Sequence, residues 1–435
     1  MLKSHFVARG LVLGLAFLLG SQLESPVSAQ SQRVRPEIPS QLELQKFGLT
    51  RSWWGQATMD ASRAVVQHLV ADEDTVFVQS SGGIMTAFDA ETGRKLWAIQ
   101  LGMGGSASYP AVANLDVVLV SSGTVLYALE RRTGNLRWQL DLPKSPSTSP
   151  AVDEDRVYIG SLDGSVLAFN LRRVRELYQD NLLPQWSYSS LDWRYQTGAE
   201  VLTPPVSNGR VVAFASQDAS LYSVFGFNRK LNFQFETNRP AAAPMTYSRG
   251  RLILPTTDFQ MHSIDIDNGK VYWTFVSGLP VDQKPRVIDD QVFILPQRDG
   301  LYALSIENGE RIWSNKRVSE FVAATPQLVY ASDEFGNLLI LSREDGAILA
   351  ALPFRFFDVR FANDRTDRIF MTTESGLVMA LREEEIEFPL YHMYPDRRPL
   401  LPEFMPEGVT DPPGPAEEKP ADDDNQGTTK NPFNF

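Results

Sequence analysis

Apolar residues in this chain come in short runs of four to six, each closed by turn-forming residues. Three stretches show the pattern most clearly: TVFVQSSGGIMTAFDAETGRKLW (75–97), DVVLVSSGTVLYALERRTGNLRW (116–138) and QVFILPQRDGLYALSIENGERIW (291–313). Each holds an apolar run, a turn, a second apolar run, a tight turn with Gly and then Trp. Such runs predict short antiparallel strands joined by hairpins, repeated along the chain. The pattern recurs eight times. One position of the second strand serves as a ruler: Ala87, Ala128, Ala168, Ser223, Ser263, Ala303, Ile340 and Ala380, spaced by 41, 40, 55, 40, 40, 37 and 40 residues.

Two further positions keep step with the ruler. Gly stands six residues after it at Gly93, Gly134, Gly269, Gly309 and Gly346. An aromatic stands ten residues after it at Trp97, Trp138, Phe233, Trp273 and Trp313, and Ala350 takes that place in the seventh unit. A Gly at the hairpin bulge can adopt positive φ, and Asp89 or Asp265 can bind the turn amides. The Trp then lies on the following strand, where its ring can dock between adjacent sheets. Pro110, Pro150, Pro205, Pro244 and Pro285 open the units, a position where no ladder hydrogen bond is lost.

Eight units of about 40 residues predict an all-β fold, an eight-bladed β-propeller of four-stranded antiparallel blades over residues 48–394. The eighth unit ends in LREEEIEFPLYHMY (381–394) with no Gly–Trp pair, while LTRSWWGQA (49–57) stands upstream without strands of its own. The economical arrangement closes the ring with residues of about 48–58 as the outer strand of blade eight, with Trp53 or Trp54 docking there. The alternative gives that role to residues 386–391. The 55-residue interval carries an insertion over residues 171–190 of blade three, which makes Trp193 the docking Trp of that blade.

The chain ends differ in character from the repeats. Lys3 and Arg9 precede a ten-residue apolar run, Leu11 to Gly20, too short to cross a bilayer but suited to a signal peptide over residues 1–29. Val27-Ser28-Ala29 supplies small residues for cleavage near Ala29, so an exported, periplasmic protein is expected. Residues 30–47 form a polar leader. Residues 395–435 hold 9 of the 28 prolines and 9 acidic against 4 basic residues, a composition that predicts a disordered acidic tail.

Composition narrows the chemistry. With 41 basic and 53 acidic residues the net charge is −12, which disfavours a phosphate backbone as partner, so no nucleic acid is expected. Cysteine is absent, which removes disulfides, thiolate nucleophiles and an acylated cysteine, so no lipid anchor is expected. Only His5, His68, His262 and His392 occur, with no metal-ligand spacing and no visible Ser–His or Cys–His nucleophile set. Asp265-Ile-Asp267-Asn268-Gly269 begins like a calcium loop, but the fifth position is Gly269 and the twelfth Val276, so it is the repeat's own hairpin. Glu383, Glu384 and Glu385 are expected at a solvated turn. The terminal Asn-Pro-Phe-Asn-Phe offers a docking motif of no stated partner.

The motif Ala87, Asp89, Thr92, Gly93, Trp97 resembles the pyrroloquinoline-quinone (PQQ) repeat, and the resemblance runs over about residues 48–390. It is similar above all to the non-catalytic outer-membrane assembly factor family, BamB. That resemblance implies eight short blades, an export signal and a Trp-bearing strand ahead of blade one. It departs from that family in having no cysteine to acylate. It departs from the PQQ-dependent dehydrogenases in lacking adjacent cysteines and the long loops of their active site.

The insertion is the candidate partner site. Leu171, Val174, Leu177, Tyr178 and Leu182 fall at helical spacing, while Arg172, Arg173 and Arg175 lie off that stripe, with Trp186 and Tyr188 nearby. Aromatic and Arg side chains are the usual anchors of an interface, and a basic cluster on an acidic protein attracts an acidic partner. Together these features predict a monomeric, non-catalytic scaffold, without cofactor or transmembrane span, that binds protein partners of the cell envelope. The alternatives are a PQQ-dependent oxidoreductase and a glycan-binding propeller.

Overall fold

Each unit folds because its two apolar runs and its Trp strand pair through hairpins only a few residues long. The computed structural model describes residues 38–183 and 187–393. Blade one shows the plan: Val66–Ala71, Thr75–Ser80, Ile84–Asp89 and Lys95–Gln100 lie side by side in chain order, all antiparallel. Seven blades repeat this order, and the eighth is completed from the other end of the chain. The middle strands are buried on both faces, as TVFVQS in blade one illustrates, so their apolar runs are continuous.

The expected ring closure is what the structure shows. Leu49–Gln56 pairs with Leu377–Glu383 as the outer strand of blade eight, and Trp53 stands opposite Ala380. Trp53 is 6% exposed and Trp54 53%, so Trp53 is the docking residue and Trp54 faces solvent. Residues 386–391 are not the outer strand. They run past the blade, and Tyr391 forms a single bridge to Thr366. Ahead of the closing strand, α1 (Gln41–Gln45) is started by a capping box between Ser40 and Glu43 and buries Leu44.

A second closure joins blade eight to blade one. Arg368, 1% exposed, reaches Glu91 of blade one with Nε–Oε1 at 3.1 Å and Nη2–Oε2 at 2.9 Å, and donates to the Glu387 carbonyl at 2.8 Å. The buried Asp367 carboxylate accepts from the Leu390 amide, fastening the segment that follows the last blade.

The ruler residues have a common role. Ala87, Ala128, Ala168, Ser223, Ser263, Ala303 and Ile340 lie directly opposite Trp97, Trp138, Trp193, Phe233, Trp273, Trp313 and Ala350. Five of the six docking tryptophans donate their indole N–H to the carbonyl three residues past the next blade's ruler. Trp53 bonds Ala90, Trp97 Arg131, Trp193 Gly226, Trp273 Ile306 and Trp313 Arg343, at 2.7–2.9 Å. Each bond satisfies a buried donor and fixes the angle between adjacent blades.

Candidate functional site: the blade-three insertion

Blade three departs from its neighbours between its third and fourth strands, Ser165–Asn170 and Leu191–Gln196. Where other blades turn within a few residues, this one forms α2 (Leu171–Gln179) and a 3₁₀ turn, Ser187–Ser190. Asn170 starts the helix by accepting from the Arg173 amide. Of the apolar stripe, Val174 is fully buried, and Leu171, Leu177 and Tyr178 pack beside it against a core that contains Trp138 and Leu183. Leu182 is left at the surface.

This changes the meaning of the stripe. Trp138 comes from blade two and has no Gly hairpin beyond it to dock against. Helix α2 takes the hairpin's place and leaves Trp138 only 2% exposed. The apolar stripe is therefore spent on packing between blades two and three, and the insertion is part of how that boundary is sealed.

The outward side carries the polar candidates. Arg172 pairs with Glu176 one turn on, Nε–Oε1 2.9 Å, with both side chains in solvent. Arg173 donates to the Ser189 carbonyl, tying the helix to the 3₁₀ turn. Arg175 is exposed, and Tyr188 is 71% exposed. Trp186 lies outside the described residues, as do His5, the predicted signal peptide and the acidic tail.

The remaining sequence candidates serve the fold. Trp193 docks on blade four, where Arg229 occupies the hairpin position with φ +57° in place of Gly. The Asp265 carboxylate accepts from the amides of Asp267 and Asn268, and its other oxygen accepts from the Tyr272 hydroxyl at 2.7 Å, an ordinary capped turn. His68 Nε2 lies 3.0 Å from the Ser108 carbonyl and His262 Nδ1 3.1 Å from the Thr274 hydroxyl. Burial holds both imidazoles below their ordinary range. Among the described residues no group of three or more His, Asp or Glu side chains is placed to hold a metal ion.

The comparisons with known proteins agree with this geometry. The family model described as "Outer membrane protein assembly factor BamB" matches residues 50–230 and again 207–386. The chain belongs to the BamB family. Among solved structures, BamB from Moraxella catarrhalis superposes with a TM-score of 0.59 at 16% identity, over 77% of this chain and 97% of that one. A computationally designed protein, Ika8, superposes with the same TM-score at 14% identity, over 75% of this chain and 99% of that one. No curated protein matches the chain in sequence. At these identities the structural likeness shows the fold alone. Among the described residues no helix is long and apolar enough to cross a membrane.

Sequence reasoning did not single out the residues that staple the ring, Arg368, Asp367 and Glu91. A usable signal was present at a neighbouring site. Arg131 and Arg343 each stand three residues after a ruler position. Arg131 Nη2 binds Asp72 at 2.6 Å, and Arg343 binds Asp289 at 2.9 Å and the Gln291 side chain at 3.0 Å, so both tie one blade to its predecessor.

Proposed function

We propose that this BamB-family propeller is an exported, non-catalytic scaffold that joins protein partners in the cell envelope, acting as a monomer and without a cofactor. The observation that carries this reading is the break in the repeat at blade three. The insertion presents Tyr188, Arg175 and the Arg172–Glu176 pair at the rim of the ring, beyond what sealing Trp138 requires. An exposed aromatic beside guanidinium groups is suited to an interface core, and the positive charge suits an acidic partner surface. The export signal read from residues 1–29 supports a partner outside the cytoplasm. The absence of any cysteine separates the chain from a lipid-anchored assembly factor.

The test uses point substitutions on the outward side, because removing the helix would also expose Trp138. Capture of envelope proteins by Arg175→Glu and Tyr188→Ala should fall well below wild type while the melting temperature holds. Unchanged capture by both variants would move the binding surface to another part of the ring. Addition of PQQ with Ca²⁺ should leave the melting temperature unshifted. A saturable rise would favour the oxidoreductase reading instead, since a ligand at 100 times its Kd stabilises by about 2.7 kcal/mol.

A further inference from the structure

The first strand of every blade lies against the ring axis, and in blades one to five these strands carry no Lys, Arg, Asp or Glu. They read VQHLVA (66–71), VA (112–113), AV (151–152), VS (206–207) and TYS (246–248). Blades six to eight break the rule with Arg286, Glu320 and Arg360. Lys284 stands just before the first of these strands, and Asp364 and Arg365 follow the last. Taking charge out of water costs several kcal/mol per ion before pairing. Five blades form with no charged residue inside this strand, so the strand itself does not require Arg286, Glu320 and Arg360.

These side chains form an alternating row. Lys284 Nζ lies 3.3 Å from Asp364 Oδ2, and the same oxygen lies 3.0 Å from Arg286 Nη1. Arg286 also attracts Glu320, which lies 3.4 Å from Arg360 Nη1. Arg365 and Glu73, 3.7 Å apart, make a separate pair. The row thus holds three cations, Lys284, Arg286 and Arg360, against two carboxylates, Asp364 and Glu320. One positive charge is unbalanced at the axis of a protein whose net charge is −12.

Independent observations show donors without acceptors here. The Arg360 side chain is 5% exposed, and its Nε–H has no hydrogen-bond partner. The imidazole of His392 is buried close enough to feel Asp364. Lys284 uses one of its three N–H groups on Asp364, and with its side chain 35% exposed the others remain reachable from solvent. Burial holds the Lys284 ammonium below the ordinary lysine range, and an added anion would relieve that. Burial alone would raise the Asp364 carboxyl, yet Lys284, Arg286 and Arg365 outweigh it and hold it far below its usual range.

We propose that this axial row is a binding site for a small oxyanion, a carboxylate or a phosphate, which Lys284 contacts directly and Arg286 supports. An oxyanion only accepts hydrogen bonds, supplies the missing negative charge and matches ammonium and guanidinium donors. The site lies at the axis, away from the insertion on the rim, and goes beyond the scaffold reading.

The experiment titrates the full chain with citrate and with inorganic phosphate, in sodium chloride of matched ionic strength, by calorimetry and thermal shift. One anion or both should bind saturably, and which of them does so identifies carboxylate or phosphate as the ligand class. Lys284→Gln should weaken binding by about tenfold or more, whereas Lys284→Arg should stay near wild type. Lys284→Met, which keeps the aliphatic stem, serves as the second variant if Lys284→Gln fails to fold. The proposal is overturned if neither anion binds beyond the chloride control, or if the folded neutral variant binds like wild type. Partner capture by the same variants separates the two readings, because it depends on the rim and should persist when anion binding is lost.

Discussion

Trp313 of blade six lies flat on Gly346 of blade seven, so close that a Cβ at Gly346 would stand 2.4 Å from the indole ring. The same contact joins Trp53 to Gly93, Trp97 to Gly134, Phe233 to Gly269 and Trp273 to Gly309, at 2.4–2.8 Å. Glycine is therefore fixed at Gly346 twice over, by φ +71° and by the ring that covers it.

Gly346→Ala should destabilise the protein by about 1–3 kcal/mol, the usual cost of overpacking. Trp313→Ala should cost about 3–5 kcal/mol. The two act on one contact, so the double variant should cost clearly less than their sum. Urea unfolding of the three variants measures this. Additive values would mean that the aromatic and the glycine contribute independently.

The two tryptophans of the closing strand should behave differently. Trp53→Ala should cost about 3–5 kcal/mol, as for any large buried aromatic. Trp54→Ala should cost under about 1 kcal/mol, because its ring is largely in solvent. Deleting residues 38–57 should bare the edge of Leu377–Glu383 and cause aggregation, visible by light scattering. A soluble deletion variant with an unchanged melting temperature would refute closure by this strand.

Glu91→Gln leaves the buried Arg368 guanidinium with Asp367, 3.2 Å away, as its remaining carboxylate partner and should cost about 1–3 kcal/mol. Replacing both residues with apolar ones, Arg368→Met with Glu91→Leu, should restore much of that loss. Thermal melts of the single and double variants give the answer.

Asp367 gives a pH signature. Burial pushes its carboxyl up to about 6, against the pull of Arg368. Its folded value lies above its unfolded value, so its contribution is greatest below the unfolded value and is lost as pH rises through about 6. Relative to Asp367→Asn, the wild type should lose on the order of 2 kcal/mol between about pH 4 and about pH 7.5. Urea midpoints across that range measure the difference, and parallel curves would count against a buried, proton-binding Asp367.

Replacing residues 171–190 with a Gly-containing hairpin that copies Ser305–Glu310 should preserve the ring, since five other blade boundaries dock an aromatic on such a turn. A replacement with Val at the Gly position, a β-branched residue strained at positive φ, should expose Trp138 and lower the melting temperature. Trp fluorescence reports the difference: a red shift is expected only for the second variant.

Much of this protein was legible in the chain itself. The eight-fold ruler, the Gly and Trp that keep step with it, and the unpaired strand at Leu49–Gln56 identify the propeller and its closure, because hairpin turns and alternating strands are local structures written in neighbouring residues. The offset of Trp193 likewise points to the insertion at residues 171–190. What the sequence could not state is what each side chain meets across a blade boundary. The apolar stripe of α2 has the spacing of a docking surface, and only packing decides that it faces Trp138. The Arg368–Glu91 staple joins residues 277 positions apart, and the row from Lys284 to Arg360 is assembled from three blades. Such pairings depend on the ring closing at a fixed radius, a condition set by all eight blades together and by no segment alone.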